Sequence, residues 1–157
     1  MNESKRLLPS LLQQEEELQF NDFTNETALR LGLFFAEIAK QEGKAITIDI
    51  ARNGQQLFHY ALPGTAADND AWIERKKRVV NRYGHSSFYV GNLFRAEGLV
   101  FEEKSRLDRD LYAADGGCFP VLIRRVGAVG TITVSGLPQA EDHELLVRVL
   151  RAFLAGP

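Results

Sequence analysis

The sequence predicts an α+β domain, a mainly antiparallel sheet with helices packed on it. Strand-like segments come in hairpin pairs, at 45–61 and 119–135, and helical patterns flank them without regular β-α alternation. No internal repeat, low-complexity tract or linker interrupts the chain, so 1–157 is expected to form one domain, with 1–19 as an N-terminal helical extension.

The elements follow in order. Residues 3–18 carry Leu7, Leu8, Leu11, Leu12 and Leu18 at helical spacing. Pro9 is expected in or near the first turn, because a deeper proline removes a helical hydrogen bond. Thr24 can cap a second helix, with Glu26 in its positive first turn and Gly43 at its stop. Its apolar residues, among them Leu29, Leu33, Phe34, Phe35 and Ile38, cover far more than one third of the surface. Such a helix is either covered on two sides or buried in a subunit contact. Ile46, Ile48 and Ile50 then alternate with Thr47, Asp49 and Ala51 ahead of Asn53-Gly54, a preferred type I′ turn. A two-residue turn pairs Ile50 with Leu57, Ile48 with His59 and Ile46 with Ala61. That register puts His59 on the isoleucine face, and Asp49, Phe58 and Tyr60 on the other.

Asp68-Asn69 reads as the cap of a helix over 70–83, and a short helix starts at Ser86 or Ser87. Residues 98–110 are charge-rich and receive no assignment. Strands at 119–125 and 128–135 turn at Gly127. Pro138 takes the first position of a last helix, whose stripe is Leu145, Leu146, Val149, Leu150, Phe153 and Leu154.

Composition excludes several function classes. A chain of 157 residues buries roughly 68–70% of its unfolded surface and needs no disulfide or metal to fold. Its single cysteine, Cys118, can form no internal disulfide, which fits a reducing compartment. Lys+Arg 19 against Asp+Glu 21 leaves no basic excess for nucleic acid or anionic membrane. No apolar run approaches the ~20 residues of a membrane span, and the N-terminus has no signal-peptide core. A cytoplasmic location is therefore expected.

Lys76 is the most informative position. A helix through Trp72, Ile73, Val79, Val80 and Tyr83 puts it near the middle of the apolar stripe. A charge aimed at a core must snorkel, pair with a carboxylate such as Asp49 or Asp142, or reach an anionic ligand. Asp142 itself either points at the sheet or stabilises its helix N-terminus. Ser135-Gly136 leads a strand into that N-terminus, where N–H groups can bind a carboxylate or phosphate, or Gly136 makes only a tight turn. Gly116-Gly117 reads as a chain reversal or bulge that a ligand can approach. His59, His85 and His143 lack metal-ligand spacing, Cys118 lacks a His-Asn partner pattern, and no serine sits in a nucleophile elbow. No catalytic or metal-binding residue is assigned.

Four strings stand in one order: Asn53-Gly-Gln-Gln-Leu-Phe-His59, Asp68-Asn-Asp-Ala-Trp-Ile-Glu-Arg-Lys76, Gly116-Gly-Cys-Phe-Pro120, and Gly130-Thr-Ile-Thr-Val-Ser-Gly-Leu-Pro138 followed by Glu141-Asp-His143. Together they resemble the haem-degrading-domain superfamily, in its uncharacterised branch beside the GlcG-like and haem-binding proteins. The resemblance spans about residues 20–155. It implies a profilin-like fold, assembly into homo-oligomers, and a ligand site at Lys76, Gly116, Gly117, Ser135, Gly136 and Asp142. Haem is the one cofactor it suggests, although no axial ligand stands out. Three readings follow: a cytoplasmic oligomer binding a small acidic molecule, an adaptor acting through its oligomer surface, or an enzyme acting on haem or a small acid.

Overall fold

The structure is a computed structural model, and it describes residues 2–156. Among these, six helices surround one four-stranded antiparallel sheet of order β2-β1-β4-β3. The strands are β1 (Thr47–Arg52), β2 (Gln55–Ala61), β3 (Cys118–Ile123) and β4 (Gly127–Ser135). The helices are α1 (Glu3–Glu17), α2 (Asn25–Glu42), α3 (Ala67–Tyr83), α4 (Ser87–Ala96), α5 (Phe101–Ser105) and α6 (Gln139–Ala155).

The two faces of the sheet differ in chemistry. Ile48, Ile50, Phe119, Val121, Ile132 and Val134 form one face, and they pack with Leu31 and Phe35 of α2 and Leu146, Val149 and Leu150 of α6. The opposite face carries Asp49, Thr131, Thr133 and Cys118, all buried, and α3 lies over it. Strand alternation sends successive residues to opposite faces, so each strand contributes to a dry core and to a buried polar layer.

Most expected elements form at the expected places. Thr24 caps α2 by accepting from Thr27 N–H, and Gly43 ends it in the left-handed region. Four expectations need correction. Pro9 lies inside α1 rather than in its first turn; residues 9, 10, 12 and 13 are exposed, so the missing bond falls on a solvated stretch. The α3 cap comes one turn earlier, at Ala66, whose N–H donates to Asn69 Oδ1 at 2.9 Å. Pro138 is the N-cap of α6, not its first helical residue.

The fourth correction concerns the β1–β2 hairpin. Ala51 pairs with Gln56 and Arg52 with Gln55, as a two-residue turn requires, but Ile50 pairs with Phe58. Leu57 is thus an extra residue in a β-bulge, and everything beyond it changes face. His59 is brought opposite Asp49, whereas Phe58 joins the isoleucine face. The helix α2 is covered on one side and partly on a second, where Phe34 meets Phe153 with ring centroids 5.9 Å apart. Leu29 and Leu33 remain 43% and 56% exposed.

Candidate functional site

The N-terminal half of α3, the turn before β3, the end of β4 and the start of α6 meet around a cavity of about 320 Å³. Lys76 forms part of its wall while only 2% exposed. Its Nζ donates to Val134 O at 2.6 Å and to Gly116 O at 3.1 Å, and it lies 3.5 Å from Asp142 Oδ2. An ammonium has three N–H donors, so three acceptors of the protein use all of them. Asp142 is therefore the counter-charge of Lys76. Asp49 instead pairs with Lys77 Nζ at 3.3 Å and His59 Nδ1 at 2.8 Å.

Asp142 also accepts from Leu137 N–H at 3.1 Å, tying the entry of α6 to α3. Burial pushes its carboxyl up to about 6, although Lys76 and the Leu137 N–H pull it down. Burial likewise lowers the Lys76 ammonium below its usual range, against the attraction of Asp142. Desolvation thus outweighs attraction on both partners, as expected of an ion pair drawn out of water.

Five of the six residues expected at the site line this cavity: Lys76, Gly116, Ser135, Gly136 and Asp142. Gly117 stands behind Lys76 instead. Its φ of +128° and the closeness of Lys76 Nζ and Val134 O leave no room for a side chain. Sequence reasoning missed Trp72, Asp115, Leu137 and Gln139, and took Asp68 and Asn69 only as caps. A signal was present, because Trp72 precedes Lys76 by one helical turn and Asp115 adjoins the glycine pair.

The wall is acidic, with Asp68, Asp115 and Asp142 against Lys76. Gln139 accepts from Gly116 N–H at 3.0 Å, and Asn69 donates to Ser135 Oγ at 3.3 Å, so much of the remaining polar lining is internally bonded. Cys118 is not part of the wall, and burial pushes its thiol up to about 12, where it is no nucleophile.

An antiparallel sheet with helices on both faces and a buried Lys-Asp pair beside the last helix defines an α+β domain with an internally charged cleft. The chain belongs to the HbpS-like family of haem-degrading proteins, whose model matches residues 23–151. Among its relatives is a UPF0303 protein of Streptomyces coelicolor, 58% identical over 144 residues, covering 92% of this chain and 91% of the relative. A UPF0303 protein of Psychromonas ingrahamii is 45% identical over 150 residues, covering 96% and 94%.

Several solved structures share the fold. The Ybr137w protein superposes with TM-score 0.86 at 37% identity, covering 94% of this chain and 87% of its own. A complex of PduOC with haem gives TM-score 0.69 at 15% identity, covering 83% and 94%. Among the described residues, no helix is long and apolar enough to cross a membrane.

Proposed function

We propose that this chain is a cytoplasmic, oligomeric ligand-binding protein that holds a small polar molecule in the cavity beside Lys76 and Asp142. The observation that carries this reading is the charged pair placed in the cavity wall. Burying two charges costs desolvation that a purely structural core avoids, and the cavity is of small-molecule size. No turnover is assigned to it.

Lys76 has no donor to spare, and Asp142 already occupies the N–H of Leu137 where an outside carboxylate would sit. Asp68 and Asp115 add negative charge to the wall. The cavity thus favours a small amine or another hydrogen-bond donor over the acid expected from the sequence. An acidic ligand enters only by displacing Asp142.

Haem, which PduOC carries in its complex, does not fit this cavity. Its lining includes no histidine, cysteine, methionine or tyrosine to ligate iron, and its carboxylates repel propionate groups. His143 is buried beside Phe88 and Phe119, outside the cavity.

Native mass spectrometry of the purified protein, followed by calorimetry with small amines and small carboxylates, tests the proposal. Amines should bind, and Asp115→Asn should weaken them about tenfold, the effect of about 1.4 kcal/mol. Binding of carboxylates alone reverses the assigned charge. No retained mass and no binding by either class overturns the reading. A second reading, an adaptor or assembly surface, is favoured by the exposure of Leu29 and Leu33, one turn apart on α2.

A further inference from the structure

His59 is the extra-site group with the most demanding geometry. Its Nδ1 lies 2.8 Å from Asp49 Oδ2, and its Nε2 lies 2.8 Å from Asp70 Oδ1. A carboxylate accepts hydrogen bonds, and a neutral imidazole has one N–H and one lone pair. Only the imidazolium, with N–H on both nitrogens, satisfies the two contacts together. The neutral ring turns a lone pair toward one of the carboxylates.

The surrounding charges point the same way. From β1, Asp49 is fully buried; from β2, Gln56 Nε2 donates to Asp49 Oδ2 at 2.6 Å. From α3 come Asp70, Lys77 and Glu74, with Lys77 Nζ 3.3 Å from Asp49 Oδ1 and 3.4 Å from Glu74 Oε1. Lys77 is thus shared between two carboxylates, and Asp70 pairs with His59. Asp49 Oδ1 receives no well-directed hydrogen bond, so this carboxylate depends on its cationic neighbours. Burial opposes the charge on His59, but its hydrogen bonds to Asp49 and Asp70 prevail and raise its pKa above 6.5. Its side chain is 30% exposed, so protons reach it.

Asp70 lies in the first turn of α3, next to Asp68, Asn69 and Trp72 of the cavity wall. We infer that His59 is a proton-operated clamp on that wall: the imidazolium fastens the first turn of α3 to the sheet, and the neutral ring releases it. The contact spans the loop between β2 and α3, joining residues 11 positions apart. The clamp is present at low pH and is lost as pH rises through the folded-state pKa of His59. As regulation of the cavity it rests on the ligand-binding reading, but as chemistry it needs no ligand.

Trp72 is the only tryptophan in the chain, so its fluorescence reports on the wall alone. Its emission is followed from pH 5.5 to 9 in the wild type, His59→Gln and Asp70→Asn, beside a ¹⁵N titration of the His59 ring. The wild type should show an emission shift whose midpoint lies above 6.5 and coincides with the ring titration. His59→Gln should lose the shift, and Asp70→Asn should move it to lower pH. A shift that persists in His59→Gln reports another group, such as Asp142, and overturns the proposal. So does flat wild-type emission, or a ring midpoint that differs from the tryptophan midpoint. Should His59→Gln fail to fold, the wild-type comparison and Asp70→Asn decide the matter. A failed ligand search with an intact emission shift rejects only the cavity's use.

Discussion

Asp142 and His143 are neighbours whose burial has opposite consequences for protons. Burial raises Asp142 to about 6 from 3.8 and lowers His143 to about 4 from 6.5. Between about 4 and 6 the folded Asp142 holds a proton that the unfolded chain has lost, so its contribution to stability falls as pH rises. His143 behaves in the reverse sense over the same window, because the unfolded chain binds the proton that the folded chain excludes. Each shift is worth roughly 3 kcal/mol, so the two largely cancel in the wild type. Urea unfolding at pH 4 and pH 6 should separate them: His143→Leu should lose stability on going to pH 6, and Asp142→Asn should gain it. Equal pH slopes in both variants would refute the opposition. The inward aim of Lys76 was legible because helical spacing fixes a face. Its counter-charge was not, since Asp49 and Asp142 come from distant elements that only packing brings near α3.

At the scale of elements, caps and turns were the legible part. Thr24, Gly43, Ser86 and Asn53-Gly54 act locally, so their roles survive folding. The bulge at Leu57 was hidden because both registers bury a plausible set of side chains, and cross-sheet packing selects between them. Its effect is visible at Gly32, where an added Cβ would run into the ring of Phe58. Alanine is the better helix former by roughly 1 kcal/mol, yet Gly32→Ala should destabilise the protein by about 1–3 kcal/mol through overpacking. Adding Phe58→Leu should recover part of the loss in thermal denaturation. A stabilised Gly32→Ala variant would mean that Phe58 does not hold this position.

For the whole molecule, the sheet separates a dry α2–α6 side from a polar α3 side, and the alternation in β1 was the part of that division readable from sequence. What lies beyond one chain was less readable. The apolar surface of α2 divides into residues spent on α6, such as Phe34, and residues left outside, Leu29 and Leu33. If the outer pair joins two copies, Leu33→Glu should shift native mass spectra toward the monomer while leaving thermal stability within about 0.5 kcal/mol at the monomer level. An unchanged subunit count would assign assembly to another face.

The contacts of α1 impose an order of events during synthesis. Gln14 meets His143 at 2.8 Å and Glu17 meets Arg151 at 3.2 Å, and the first pair is separated by 129 positions. At ~5–20 residues per second, a ribosome takes roughly 6–26 s between making the two. The strand β1 waits similarly for β4, its neighbour at the centre of the sheet. The nascent chain therefore carries the α6-facing groups of α1 without their partners, and a β1–β2 hairpin with one open edge, until nearly all of it has been made, and closes late.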